Sequence, residues 1–391
     1  MKDWSYLVFA LAGVGVAALK GFLYAHILNE VEYAVVGYYL LWVGVGGLIV
    51  GSGVMLRAHT ELPAMDKAQR SAFIAQGRGV GFIFWLALSI PLSVISFLGG
   101  GISLPLLTLL QVLIMFLFTL DVVALKSDGN FVGYARSVFF RNLLLMVGGL
   151  VVAYVTGSAQ LSVLAETLCG VLACGRVVTN WLCNFKFPSG VYLRQSLKFL
   201  PISLLGGVGQ YVDRLCASVF LSLGAFSEYS YLSLLMFGGL AIQQIINTKV
   251  ITLLSVRCRV SPHQTFLYLL KVSASVFACA FVLLLCSAYI LFFSVFAASW
   301  VGLSPLLIVI FVVGVCFKAA EFFSSFLVVL HRKKLLLAVQ LVGVFFYSLL
   351  ALFSYSAGFD VFVSSMVLGM GVYTLSLMFI SWRVSLAQAS C

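Results

Sequence analysis

The sequence predicts an all-α polytopic membrane protein with about twelve transmembrane helices. Of its 391 residues, 63% are hydrophobic and 9% are charged, whereas about a quarter of a soluble domain is charged. The apolar runs are roughly twenty residues long, which is enough to cross a hydrocarbon core of about 30 Å as a helix. They are apolar on every side, unlike the alternating strands of a membrane β-barrel. Helices also satisfy their own backbone polar groups in lipid.

The spans follow the apolar runs in chain order. The run from Ser5 to Leu28 is longer than the apolar region of a signal peptide and lacks a cleavage site, so we expect it to remain as the first span. We place the twelve spans at 5–28, 33–56, 79–99, 104–125, 138–156, 161–183, 199–223, 229–256, 270–292, 302–328, 335–357 and 361–382.

Charged residues segregate between the two sides of these spans. The odd-numbered connections contain Glu30, Glu32, Glu228 and Asp360 and no Lys or Arg. The even-numbered connections and the chain ends contain Lys2; Arg57, Lys67, Arg70 and Arg78; Lys126, Arg136 and Arg141; Lys186, Arg194 and Lys198; Arg257, Arg259 and Lys271; Arg332, Lys333 and Lys334; and Arg383. Basic loops remain in the cytoplasm, so we expect both termini there.

This topology also explains the formal net charge of +11, and we expect no nucleic-acid partner. The nine Cys form no CxxC pair and mostly lie in apolar runs, where a small packing residue is expected rather than a metal or redox site. No GxxxxGK[ST] nucleotide loop is present. We therefore expect no cofactor, although coupling to protons or sodium stays open.

The two halves of the chain resemble each other. At an offset of 196 residues, Glu32–Tyr33 falls on Glu228–Tyr229, and Gly13 falls on Gly209. In both places a glycine-bearing helix with an ionisable residue is followed by a short acidic turn and an aromatic-rich helix. Chance similarity between apolar helices is the alternative. A parallel repeat of six helices would place a substrate cavity between its halves. The predicted domains are residues 1–195 and 196–391.

Several ionisable residues fall deep within the predicted spans, where each costs about 2.5–3.5 kcal/mol or more on insertion scales. We expect them to face protein or a wet cavity. The deep cations outnumber the deep carboxylates, Asp213 and Glu321. This excess suits an anionic substrate, and any coupling to protons or sodium would fall to the two carboxylates. The candidate cavity cations are Lys20, Arg214, Lys249, Lys318 and, at the end of span 2, Arg57.

Each of these residues has an alternative interpretation. Lys20 and Lys249 could reach a membrane face, and Asp213 or Arg214 could form a salt bridge with another helix. Lys318 and Glu321 are spaced i, i+3, so an ion pair within one helix is the simpler interpretation of both. Arg57 could serve topology alone. A further set of charged residues lies nearer the span ends and is expected to be interfacial: Asp121, Arg141, Glu166 and Arg176.

The segment Gln210–Tyr211–Val212–Asp213–Arg214, followed by Leu223–Gly224 and Tyr229–Ser230–Tyr231, resembles the start of the second half of Wzx-type polysaccharide flippases. Its first-half counterpart and Arg57 are also similar to that family, which belongs to the multidrug/oligosaccharidyl-lipid/polysaccharide (MOP) exporter superfamily. The resemblance implies two six-helix bundles in a V, as in MATE transporters, around a cationic cavity. It also implies alternating access in a bacterial inner membrane.

The substrate implied by this resemblance is an undecaprenyl-pyrophosphate-linked oligosaccharide, the repeat unit of O-antigen or capsule. Membrane lipids, a polysaccharide polymerase and a chain-length regulator are the partners it implies. Three alternatives stay open: a transporter of small solutes or drugs, a membrane enzyme acting on the same lipid carrier, and a membrane scaffold. A cationic lumen would repel cationic drugs, and an enzyme would be expected to carry a sizeable outward loop or a polar catalytic cluster.

Overall fold

The structure is a computed structural model, and it describes residues 2–51, 53–62, 65–98, 103–258, 261–293 and 298–389. Within these ranges every regular element is a helix. The chain divides into two compact units, Met1–Tyr211 and Val212–Cys391, and the boundary lies within one long helix.

The first unit contains eight complete helices and most of a ninth. They are α1 (Lys2–Ile27), α2 (Glu30–Gly51), α3 (Val54–Glu61), α4 (Lys67–Leu98), α5 (Ser103–Ser127), α6 (Phe131–Thr156), α7 (Ala159–Ala173), α8 (Gly175–Cys183) and α9 (Gly190–Phe220). Helix α1 packs along α6, which also packs on α7, while α2 and α4 pack on α5. Phe73, Val80, Phe116 and Tyr192 lie in its largest described core.

The second unit begins near the end of α9 and contains seven further helices. They are α10 (Leu223–Leu232), α11 (Leu234–Arg257), α12 (Pro262–Phe293), α13 (Pro305–Ala319), α14 (Phe323–Val329), α15 (Lys333–Ser354), which continues into a 3₁₀ turn at Tyr355–Ala357, and α16 (Phe359–Ala389). Helix α13 packs on α11, α12 and α16, and α15 packs on α16. Phe266, Phe322, Phe326 and Leu336 lie in its main described core.

In the described part of the chain, nine helices are long and apolar enough to cross a membrane, or ten if α7 and α8 form one span bent by 65°. The sequence predicts two more spans, which correspond to α9 and to α10 with α11. Helix α9 contains Asp213 and Arg214, which lower its mean hydropathy, and α10 is separated from α11 at Ser233. The polytopic all-helical fold is confirmed, and the count of twelve stays a prediction.

Four helices begin well before the sequence predicts. Spans 3, 5, 7 and 9 are predicted to start at residues 79, 138, 199 and 270, whereas α4 begins at Lys67, α6 at Phe131, α9 at Gly190 and α12 at Pro262. The added parts of α4, α6 and α9 carry Lys or Arg. Before α4, Asp66 Oδ1 accepts a hydrogen bond from Gln69 N at 2.8 Å, and Gln69 Oε1 accepts one from Asp66 N at 3.2 Å. This reciprocal arrangement is a capping box. Residues expected in loops therefore lie on helices.

Candidate functional site

The first buried charge cluster joins α1 to α7. Lys20 Nζ donates a hydrogen bond to Glu166 Oε2 at 2.8 Å, and the Tyr24 hydroxyl donates one to Glu166 Oε1 at 2.6 Å. The side chains of Lys20 and Glu166 are 15% and 2% exposed. Lys20, a candidate cavity cation, is thus paired with a carboxylate on another helix. Glu166, which the sequence predicts to be interfacial, is buried inside the unit.

A second cluster, of the same composition, lies in the other unit. Lys318 Nζ on α13 donates to Asp213 Oδ1 at 3.0 Å, and the Tyr229 hydroxyl donates to Asp213 Oδ2 at 2.9 Å. Asp213 is fully buried and Lys318 is 8% exposed. Buried charges of opposite sign are tolerated when they are paired and hydrogen-bonded. Lys318, a candidate cavity cation, thus neutralises a carboxylate on another helix.

The ion pair predicted between Lys318 and Glu321 requires both residues to lie on one continuous helix. Helix α13 ends at Ala319 and α14 begins at Phe323, so Glu321 lies in a break between two helices. Its carboxylate accepts hydrogen bonds from the backbone N–H and the hydroxyl of Ser324, at 2.8 and 3.0 Å. The i, i+3 spacing assumed a continuous helix, and the break removes the shared face. Glu321 thus caps the following helix.

The remaining candidates in the second unit have different surroundings. The Arg214 guanidinium donates to the carbonyl of Ser233 at 3.0 Å, where α10 ends, and lies 4.4 Å from the centre of the Phe237 ring. It is 7% exposed. Lys249 belongs to α11, but its side chain falls outside the described part of the structure.

Arg57 is held by a dense set of contacts at the N-terminal part of α9. It forms a two-point fork with Glu61 through Nε at 2.9 Å and Nη2 at 2.8 Å. Its Nη1 donates to the carbonyl of Tyr192 and to the Ser196 hydroxyl, and its Cζ lies 4.3 Å from the centre of the Tyr192 ring. At 3% exposure, Arg57 fastens α3 to α9 within the first unit. Its donors are largely occupied by the protein itself.

The main basic cavity described in the first unit involves other residues. It has a volume of about 1460 Å³ and is bounded by α4, α5, α6, α7, α8 and the loop after α8. Its wall also contains apolar side chains, including Ile74, Phe118, Phe140, Leu144 and Val147. Seven cations and two acids line it: Lys67, Arg70, Arg78, Arg136, Arg141, Arg176 and Lys186, with Asp121 and Asp128.

The charged residues of this basic cavity differ in depth. Arg70 pairs with Asp128, whose side chain is 54% exposed. Eight residues further along α4, Arg78 is 7% exposed and its Nη2 donates to Asp121 Oδ1 at 2.5 Å. Arg141 lies with its Cζ 5.0 Å from the centre of the Phe118 ring. The Nε atoms of Arg78 and Arg141 are buried and have no hydrogen-bond partner within the described ranges. Arg78 and Arg141, whose guanidinium groups are strong hydrogen-bond donors, thus lie at the deeper end of the basic cavity.

From the sequence, we expect only a topological or interfacial role for the Lys and Arg of this basic cavity. A usable signal was present in their spacing. Lys67, Arg70, Ile74 and Arg78 are spaced i, i+3, i+7 and i+11, which places them on one face of a helix. The capping box at Asp66 marks the start of that helix. Placing the helix start at residue 79 hid the pattern.

The structure was compared with known proteins. No family model and no curated relative matches the sequence. By structure, the chain is similar to the lipid II flippase MurJ in an inward closed conformation, with a TM-score of 0.68, 14% identity, and 95% of this chain and 87% of that chain covered. An inward-facing multidrug resistance MATE transporter of the MOP superfamily gives a TM-score of 0.63 at 13% identity, covering 99% and 98%.

This chain has the fold of these MATE and MurJ structures. A further MOP superfamily transporter, from Pyrococcus furiosus, matches with a TM-score of 0.59 at 13% identity, covering 99% of this chain and 95% of that chain. That protein is described as having a binding pocket of reverse polarity. These are similarities of fold at 13–14% identity, and they agree with the all-helical polytopic architecture predicted from the sequence.

Proposed function

We propose that this chain is a flippase. Its substrate is an undecaprenyl-pyrophosphate-linked oligosaccharide, a repeat unit of O-antigen or capsule, which it moves from the cytoplasmic to the periplasmic leaflet of a bacterial inner membrane by alternating access. The basic cavity of the first unit carries this proposal. Seven cations against two acids stand beside an apolar wall, and a lipid-linked sugar offers the complementary chemistry of a pyrophosphate on a hydrocarbon chain.

The residues of the basic cavity suit the two parts of such a headgroup. An Arg guanidinium binds a phosphate through a two-point fork, and a Lys ammonium binds it as a point charge. Phe118, Phe140 and Leu144 provide apolar surface for the adjacent part of a lipid chain. A cationic drug would be repelled by the same wall, so the excess of positive charge argues against multidrug export.

Headgroup recognition in this proposal shifts away from three of the cations predicted from the sequence. Lys20 and Lys318 are each paired with a buried carboxylate, so we assign them a structural role. Arg57 is similarly engaged by Glu61. Arg214 and Lys249 stay candidates for substrate contact in the second unit. The similarity of fold to a lipid II flippase supports transport of a polyprenyl-linked substrate.

Reconstitution tests the proposal directly. Purified protein is placed in liposomes that contain a fluorescent undecaprenyl-pyrophosphate-linked oligosaccharide, and dithionite destroys the dye in the outer leaflet only. We expect the wild-type protein to expose the protected half of the dye. The double variant Arg78→Gln/Arg141→Gln should slow this exposure by about tenfold or more, because two buried phosphate donors are lost.

A phosphatidylcholine analogue with the same dye is the control for non-specific scrambling. Exposure of both lipids at the same rate would contradict a selective flippase, and so would a wild-type protein that leaves the oligosaccharide lipid protected. Arg57→Lys is not a suitable negative control, because Arg57 fastens α3 to α9 and its loss is expected to disturb the fold.

A further inference from the structure

The ion pair between Arg78 and Asp121 is incomplete. Arg78 uses Nη2 to bind Asp121 Oδ1 at 2.5 Å, while its Nε is buried without a hydrogen-bond partner in the described residues. Arg57 shows how a completed pair looks in the same unit, since its Nε and Nη2 both bind Glu61. A carboxylate that binds Nη2 alone leaves Nε, the second donor of the two-point fork, for a better acceptor.

The surroundings of Arg78 favour an anion over a second protein carboxylate. Arg141 lines the same basic cavity, is stacked on Phe118 and also has a buried Nε without a partner. Arg176 lines the cavity too. Asp121, the only acid that pairs with Arg78 among the described residues, has a side chain 28% exposed. Two guanidinium groups with open donors next to one accessible acid make a site that a doubly charged group fills better than Asp121 does.

We infer that Arg78 is the phosphate-binding residue of the basic cavity and that Asp121 is its internal competitor. In this exchange, a phosphate or pyrophosphate ester displaces Asp121 from Arg78 and takes both Nε and Nη2, with Arg141 binding a further oxygen. Without ligand, Asp121 neutralises Arg78. The inference rests on the proposed function for the identity of the ligand as a lipid headgroup, but the exchange itself requires only a phosphate.

The geometry makes an unusual prediction: removal of an acid should improve binding. Purified protein in nanodiscs is titrated calorimetrically with inorganic pyrophosphate and with farnesyl pyrophosphate. We expect Asp121→Asn to tighten the binding of both by about three- to tenfold, because the variant loses the competing charge. Arg78→Lys should weaken both by about tenfold or more, since an ammonium keeps the charge and loses the fork.

Asp128→Asn is the matched control. It makes the same change of acid to amide in the same basic cavity, at the exposed pair with Arg70, and should alter affinity by less than about twofold. Unfolding cannot account for tighter binding by Asp121→Asn. Should that variant fail to elute as a single species, Asp121→Ser replaces it with the same expected direction.

Affinities of Asp121→Asn that equal or fall below those of the wild type would overturn the exchange, as would an unchanged Arg78→Lys. The two ligands separate the source of the phosphate. Tighter binding of farnesyl pyrophosphate than of inorganic pyrophosphate supports a lipid headgroup, and equal binding supports a free phosphate compound as the ligand. Binding that responds as expected without oligosaccharide translocation would preserve this inference and reject the proposed function. Translocation that is unaffected by Asp121→Asn and Arg78→Lys would preserve the proposed function and reject this inference.

Discussion

Individual charged residues in this protein fall into two classes that the sequence alone does not separate. In the first class, one Lys, one carboxylate and one Tyr hydroxyl form a closed cluster: Lys20, Glu166 and Tyr24, or Lys318, Asp213 and Tyr229. In the second class, a guanidinium at the cavity wall keeps an open donor, as in Arg78 and Arg141. The closed clusters join helices within each unit, and in the proposed function the open donors are the ones that bind the ligand.

The closed cluster in the first unit is expected to respond asymmetrically to mutation. Glu166→Gln leaves the Lys20 charge buried without its carboxylate, which should lower the free energy of unfolding by about 3–5 kcal/mol. The double variant Lys20→Met/Glu166→Gln removes both charges and should recover much of that loss. Reversible unfolding by sodium dodecyl sulfate in mixed micelles measures both values.

The exposed pair of Arg70 with Asp128 provides the comparison for this measurement. Asp128→Asn should cost no more than about 1 kcal/mol, because exposed ion pairs contribute little. If Lys20→Met/Glu166→Gln is as unstable as Glu166→Gln alone, the loss of stability arises from packing around the side chains and not from the unpaired charge.

At the scale of the helix, glycine controls how closely α1 and α7 approach α6. A Cβ added at Gly149 on α6 would lie 2.0 Å from the Tyr24 hydroxyl oxygen and 2.6 Å from Cγ of Glu166. The Lys20 cluster therefore depends on the absence of a side chain at a helix that contributes no charge to it. A sequence pattern cannot reveal this, because Gly149 lies 129 residues from Lys20.

Gly149→Ala is accordingly expected to separate α1 and α7 from α6 and to lower the free energy of unfolding by about 1–3 kcal/mol, as overpacking does. Gly15→Ala is the matched control on α1, since a Cβ there meets nothing within 4 Å. Because alanine is the better helix former, that variant should be neutral or gain up to about 1 kcal/mol. Equal losses at the two positions in the same micelle titration would contradict the close approach.

Helix breaks limited what could be predicted about the elements. The apolar runs located most spans, and the regular helices α5 and α15 fall within a few residues of where the sequence places them. The breaks after Cys174 and at Glu321 carry neither Pro nor a Gly pair that would mark them. They divide predicted spans 6 and 10, and the second break places Glu321 in surroundings that a straight helix would not provide.

For the molecule as a whole, hydropathy was sufficient to predict a polytopic helical membrane protein, because the bilayer imposes helices on any long apolar run. The sites depended on tertiary contacts. Pairing of Lys20 with Glu166, or of Lys318 with Asp213, joins residues that are 146 and 105 positions apart. The basic cavity could have been predicted more easily, since its cations are spaced along helix faces. The predicted starts of spans 3 and 5 were too late, however, and left several of these cations outside the helices.

In the proposed function, substrate is loaded from the cytoplasm, so the basic cavity must open on that side. The orientation of the chain in the membrane therefore decides whether transport in the proposed direction can begin. Lys67 is exposed and lines the cavity at the start of α4, on the side that the segregation of Lys and Arg predicts to be cytoplasmic. Asn29, between α1 and α2, is predicted to lie outside. In a variant without the nine native Cys, Lys67→Cys should react with a membrane-impermeant maleimide in inverted vesicles and not in intact spheroplasts. Asn29→Cys should show the opposite. Labelling of Lys67→Cys from the outside would place the cations on the periplasmic face, and transport in the proposed direction could not begin there.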